Sequence, residues 1–232
     1  MPDDNAVIHI QGRDIPYRLT RTRRRTLGLS VTESGVKVNV PKWVTKAEID
    51  RFLEERIDWL LKNLEKIEQT RREQPVLRDG ENVFFLGVPL KIRVAPCLFP
   101  DIRRNGRMLW ASVAHEDDVP ELVKSWLKIR AERMLRKRLM HFARKQGGRI
   151  PEFALSDAKT QWGICHPDGR IRLNWRLIQA PLSIIDYVAA HEVAHLLHLD
   201  HSRRFWSQVE ALCADAGTAR EWLNRHGHKL MI

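Results

Sequence analysis

The residues best placed by type and spacing to do chemistry are His191, Glu192 and His195, followed by His198 and His201, in the run His191-Glu192-Val193-Ala194-His195-Leu196-Leu197-His198-Leu199-Asp200-His201. On an α-helix, positions i and i+4 project from one face a turn apart, so His191 and His195 can grip one metal ion through their imidazoles. Glu192 lies about 100° further round the helix, where its carboxylate can reach a water on that metal without being a ligand. This is the arrangement of a hydrolytic zinc site with Glu192 as the catalytic carboxylate. The string alone also arises by chance in charged helices, so the third ligand carries weight. Catalytic zinc takes three protein ligands and keeps one position open.

His198 and His201 are the candidates. On an unbroken helix they would lie roughly 10 Å and 15 Å along the axis from His191, at about 1.5 Å per residue, too far to share a metal with both earlier histidines. The chain must therefore leave the helix after His195 and fold back. Leu199-Asp200-His201-Ser202 is the place for it, because Asp favours turns and Ser202 can N-cap a following helix. The expected metal ligands are His191, His195 and His201, with His198 beside the site or in solvent.

A chain of 232 residues, 43% hydrophobic and 30% charged, can bury a sizeable core. No apolar run approaches the ~20 residues that span a bilayer, and Met1-Pro2-Asp3-Asp4 is not the basic start of a secretory signal, so the expectation is a cytoplasmic protein without membrane contact. Cys97, Cys165 and Cys213 are an odd number with neither zinc-ribbon nor redox-pair spacing, which suits reduced thiols. The net charge of +11 favours an anionic partner, and nucleic acid is a possible one through the basic surface. The arginines are scattered, though, and no nucleic-acid module is recognisable. Oligomeric state is left open.

The elements that must position the site form an α+β chain. Residues 6 to 19 and 26 to 40 alternate apolar and polar and predict a small antiparallel sheet with a turn at Glu33-Ser34-Gly35. Thr45 and Glu48 form a capping box for one helix over about 45–72, with Trp59 expected in the core, and Gln74-Pro75 ends it. A hairpin turns at Gly87-Val88-Pro89, another strand runs near 107 to 113, and the stretch from Ala95 to Gly106 reads as a surface loop. A long helix follows from Asp117-Asp118-Val119-Pro120 to Gly147-Gly148. Short strands are expected from Phe153 to Asp157, Thr160 to Cys165 and Arg170 to Trp175, then the metal helix from Pro181-Leu182-Ser183, then one closing helix from near Ser202 to near His226. No internal repeat is visible. The expected division is a strand-rich region over 1–118 packed on a metal-binding core over 119–232. Helix, small sheet, HExxH helix and closing helix follow a minimal zincin order.

Gln161-Trp162-Gly163-Ile164-Cys165, Arg170-Ile171-Arg172-Leu173-Asn174-Trp175-Arg176-Leu177, Ile185-Asp186-Tyr187-Val188, the HExxH run and Asp200-His201-Ser202-Arg203-Arg204-Phe205-Trp206 together resemble the YgjP-like family of bacterial zinc metallopeptidases, relatives of the SprT-like and WLM-type minimal zincins. The likeness is specific over about 155 to 210. It implies one catalytic zinc ion on His191, His195 and His201, Glu192 as general base, and a peptide or unfolded protein as substrate. The chain departs from the family's Arg-Trp-Gly-Ser-Cys-Ser at Gln161, Ile164 and His166. Cys165 reads as a small hydrophobe and His166 as a turn residue. Zincins commonly pair an extended substrate with the edge strand beside the metal, and the Arg170 to Trp175 strand is the expected one, with Arg170, Arg172 and Asn174 as contacts. Two other readings compete: a protease acting on DNA- or RNA-bound proteins, like the SprT-like enzymes, and a non-catalytic protein with structural zinc, which has no need of Glu192.

Overall fold

The computed structural model describes residues 4–10, 12–32, 34–72 and 75–232. Met1 to Asp3, Glu33 and Gln74, on which three of the sequence expectations fall, lie outside the described residues. The chain divides into two compact units, Met1–Glu73 and Gln74–Ile232. The division expected at 118–119 does not coincide with this one.

In the first unit, strands β1 (Asp4–Ile10), β2 (Arg13–Thr22), β3 (Gly28–Thr32) and β4 (Gly35–Pro41) form a sheet in the order β1-β2-β4-β3. The outer pairs are antiparallel, but β2 and β4 run parallel, Tyr17 opposite Val36 and Thr22 opposite Pro41, so the sheet is mixed rather than antiparallel. Alternation tells which side chains share the buried face, here Ile15, Tyr17, Val36, Val38 and Val40; it is blind to strand direction. Two helices cover that face, α1 (Lys46–Glu54) and α2 (Ile57–Arg72), where one was expected. The Thr45–Glu48 capping box is present. At the break the Arg56 N–H donates to the Leu53 carbonyl at 3.1 Å, an i→i−3 bond that tightens the turn without any Gly or Pro to announce it. Trp59, expected in the core, is 47% exposed, because the buried stripe runs through Ile57, Leu60 and Leu64.

The second unit opens with β5 (Asn82–Phe85), β6 (Val88–Pro96), β7 (Asp101–Asn105) and β8 (Met108–Val113), in the order β5-β6-β8-β7. Here too the outer pairs are antiparallel and the central pair parallel. The chain thus repeats one sheet topology, invisible as a sequence period. Strand β7 lies inside the stretch expected as a loop. It is an edge strand in which Ile102 alone packs against the core, so no alternation marks it. Helix α3 (Val119–Lys145) then runs 27 residues and buries Val123, Trp126, Leu127, Ala131, Leu135 and Leu139, each leucine contributing roughly 1.5–3 kcal/mol of burial.

A three-stranded sheet follows: β9 (Phe153–Ser156), β10 (Gly163–Cys165) and β11 (Ile171–Asn174), ordered β10-β11-β9. A 3-10 turn over Trp175–Gln179 leads into α4 (Leu182–Ala194), then α5 (Arg203–Leu212) and α6 (Ala216–His226). The single closing helix expected is therefore two. Its break follows α5, whose last carbonyls, Ala211 and Leu212, accept from the Lys145 ammonium at 3.0 and 2.8 Å.

Three contacts aim α4. The β5–β6 turn donates its Leu86 and Gly87 N–H groups to the carbonyls of Ile178 and Gln179 at 2.8 and 3.0 Å. Gly87 has φ +78°, and a Cβ there would sit 3.1 Å from the Pro181 backbone at the start of α4, so glycine is required twice over. Arg138 of α3 grips Asp186 of α4 with both Nε and Nη2, the latter at 2.9 Å. Among the described residues no helix is long and apolar enough to cross a membrane.

Candidate metal centre

Helix α4 stops where the arithmetic of rise per residue requires. His195 is its C-cap, and the next amides tighten to i→i−3 bonds, Leu196 to Val193 at 3.0 Å and Leu197 to Ala194 at 3.1 Å. The chain then turns, with Asp200 Oδ1 accepting from the Ser202 N–H at 3.3 Å. Ser202 holds the N-cap position of α5 without a side-chain capping bond. The turn brings His201 back over α4.

His191 Nε2 and His201 Nε2 stand 3.4 Å apart, and one nitrogen from each of His191, His195 and His201 lies within 4.8 Å of the others. Two nitrogens at about 2.0–2.1 Å from a tetrahedral zinc are separated by about 3.3 Å, the spacing of the His191–His201 pair. The protonation chemistry fits as well. His195 Nδ1 lies 2.9 Å from the His198 carbonyl, an acceptor, which makes Nδ1 the donor and leaves Nε2 bare for a metal. Burial, then the neighbouring His195, His201 and Arg220, push His191 down to about 4, and burial lowers His195 too. Both imidazoles are neutral at neutral pH, the form that can bind a metal. His198 thus acts through its backbone, beside the site.

The imidazoles rest on Phe205, which is fully buried. Its ring stacks on His195 at 4.4 Å and meets His191 and His201 edge-on at 4.9 and 4.8 Å. Nothing in the spacing of Phe205 on the closing helix marks it as the floor of the triad. Gln146, at the C-terminus of α3, ties α4 to the helix that follows His201: its Nε2 donates to the Val193 carbonyl of α4 at 3.0 Å, and its Oε1 accepts from Gln208 of α5 at 3.0 Å.

Glu192 is 4% exposed, and its Oε2 has no hydrogen-bond partner among the described residues. Burial pushes its carboxyl up to about 8 against the lowering effect of the Cys165 backbone N–H. The carboxylate fits against the edge strand β10 because residue 163 is glycine. A Cβ there would lie 2.7 Å from both Cγ and Cδ of Glu192. Glu192 and His191 together line a cleft of about 270 Å³ with Gln161, Trp162, Gly163, Tyr187, Val188, Arg220, Leu223 and Asn224.

The structure places the three expected substrate contacts away from this cleft. Strand β11 is central, between β10 and β9, so it has no free edge; β10 is the edge strand beside α4. Asn174 is fully buried. Its Nδ2 donates to the carbonyls of Ala158 and Gln161 at 2.6 and 3.2 Å, and its Oδ1 caps the Arg176 N–H at 3.0 Å, so it shapes the loop leading to β10. Arg172 pairs with Ile164 in the register and shares its exposed face, whereas Gly163 pairs with the buried Leu173 on the opposite face. Arg170 holds Asp168 within its own turn at 2.8 Å. Cys165 is half-buried and burial pushes its thiol up to about 11, which suits a packing residue rather than a nucleophile. His166 closes the turn, its N–H bonded to the Arg170 carbonyl at 2.8 Å.

A long helix, a small sheet with its edge beside a histidine-bearing helix, and a returning third histidine define a zincin-like metallopeptidase fold. The model of the YgjP-like metallopeptidase-domain family matches residues 25–226, and the chain belongs to that family. Membership implies a metal cofactor, typically zinc. No curated protein and no solved structure matches the chain.

Proposed function

We propose that this protein is a zinc-dependent peptidase in which His191, His195 and His201 hold one zinc ion and Glu192 is the general base. The observation that carries the reading is a set of three histidines with ring nitrogens within 4.8 Å of one another, one of which, His191, opens onto the same cleft as a buried carboxylate whose second oxygen is unpartnered. Zinc bound there would supply Lewis acidity, acidifying a water toward a pKa of about 7 and polarising a peptide carbonyl. The positive charge of a zinc ion held beside it would favour the ionised form of the Glu192 carboxyl, which would accept the proton of the attacking water on its free oxygen and deliver it to the leaving amine. Phe205 and the His198 carbonyl hold the imidazoles in orientation, and β10 offers its free edge to an extended peptide.

Glu192→Gln is expected to keep one zinc per chain and to lose about 10²–10⁴-fold in hydrolysis of a peptide or unfolded protein. Normal cleavage by that variant would remove Glu192 from the mechanism. The charge of +11 supports a second reading, action on proteins bound to nucleic acid. Salt-dependent DNA binding together with DNA-stimulated cleavage would distinguish it.

A further inference from the structure

Helix α6 was read from sequence as part of a closing helix, yet it forms one wall of the cleft. Arg220, Leu223 and Asn224 fall at i, i+3 and i+4 on one face, and all three line the space that Glu192 and His191 open onto. Leu223 is buried and anchors the helix, while Arg220 and Asn224 are exposed at the rim. Arg220 is the single fixed positive charge among the described residues lining the cleft. Its guanidinium lies over the Trp206 ring, 5.0 Å from the ring centre, and that ring lies 5.8 Å from the rings of His191 and His201. The cation is thus one aromatic ring away from the triad. Its charge is felt at His191 and at the Tyr187 hydroxyl, both on the cleft.

What Arg220 does not do is equally informative. Among the described residues it has no carboxylate partner, and Glu221, next to it on the helix, pairs with Arg225 instead. It does not neutralise Glu192, whose carboxyl responds to burial and to the Cys165 backbone. With Trp206 beside it and no carboxylate paired to it, the guanidinium keeps its fork of N–H donors, which can take a carboxylate in two parallel hydrogen bonds, for a group entering the cleft that it lines.

We infer that Arg220 is a substrate-binding residue that takes a carboxylate of the peptide, so that the cleft selects chains with an acidic group beside the scissile bond. That group is either the C-terminal carboxylate or an Asp or Glu side chain; the two share one chemistry and the test separates them. The inference rests on the peptidase reading of the same site. Asn224, one turn on, and Gln161, on the opposite wall, supply neutral amides suited to the peptide backbone, which leaves Arg220 as the charge-reading element.

The test uses zinc-loaded full-length Glu192→Gln, which binds without turnover, titrated calorimetrically with four peptides. They are acetyl-Ala-Ala-Phe-Ala-Glu as free acid and as C-terminal amide, and the same pair with Gln in place of Glu. The expected result is about tenfold tighter binding of a charged peptide than of the doubly neutral one, as for one charge-assisted hydrogen-bonded pair. Adding Arg220→Gln should abolish the gap between charged and neutral peptides while zinc content stays at one per chain, and Arg220→Lys should restore part of the gap. Whether the gap follows the C-terminus or the side chain names the source of the carboxylate. A gap that survives Arg220→Gln, or four peptides bound alike or not at all, overturns the inference. Hydrolysis by the unmodified protein is scored separately. A charge gap without cleavage sinks the peptidase reading and keeps the carboxylate site, whereas cleavage without a gap does the reverse.

Discussion

The substitution Gly163→Ala tests most sharply how the catalytic carboxylate is held. The added Cβ would stand 2.7 Å from Cγ and Cδ of Glu192, where carbon atoms at rest sit about 3.5–4.0 Å apart. About 1 Å must be found. Either the Glu192 side chain rotates, or β10 moves away from α4 and strains its three-residue pairing with β11. Overpacking of this kind costs about 1–3 kcal/mol of stability, and a displacement of about 1 Å at a reacting group costs about 10²-fold in kcat. No histidine of the triad lies on β10, so zinc content should stay at one per chain. Gly217→Ala is the internal control, since a Cβ there meets nothing within 4 Å. Its kcat should match that of the unmodified protein, and its urea midpoint should be equal or slightly higher, since alanine is the better helix former. The assay pairs metal analysis and urea unfolding with kcat on a peptide that the unmodified protein cleaves. Wild-type kcat in Gly163→Ala would refute the claim that the glycine positions Glu192. Loss of zinc would refute the independence of carboxylate and triad.

Three further outcomes follow from geometry already described. His201→Ala should lose zinc while His198→Ala keeps it within a few-fold, because His198 contributes its carbonyl and not its ring; competitive titration against a chelator reads the difference. Arg138→Ala leaves Asp186 unpaired in a contact whose side chains are each 20% exposed, and should lower the stability measured in urea by about 1–3 kcal/mol, between the exposed and the buried case. Asp157 is held below its usual pKa, first by the Trp175 indole N–H and then by Arg176. Its contribution to stability is therefore present above the unfolded carboxyl value of about 3.9 and lost as pH falls through the depressed folded value. Asp157→Asn should flatten the acid limb of a stability–pH curve, and an unchanged limb would remove Asp157 from it.

Much of the metal centre was legible because its constraints are local. The i, i+4 spacing of His191 and His195 and the rise per residue of a helix were enough to demand a stop before His201. The opposite wall of the cleft was not legible. Any face of α6 is equivalent until the packing partner is known, so Arg220 and Asn224 carried no signal beyond amphipathic spacing. The edge role passed to β10 rather than β11 for a similar reason: strand order is a long-range property, and the three residues Gly163 to Cys165 are too few to show alternation. Asn174 misled because a polar residue near a site reads as a contact, whereas full burial turned it into a brace for the loop ahead of β10. The parallel pairing of β2 with β4, and the same pattern in β6 with β8, depend on direction, which period-2 patterning does not encode.

The Gln146 amide has a consequence for how metal is acquired. It bonds to the α4 backbone on one side and to an α5 side chain on the other, so protein contacts that need no ion help to set the angle between α4 and the helix that follows His201. Zinc-finger domains are unfolded without metal and spend much of their binding energy on folding. Here the ordering entropy has already been met by the core, so zinc uptake should be a docking event with little heat-capacity change, and removal of the ion should leave a folded chain that reloads without passing through an unfolded state.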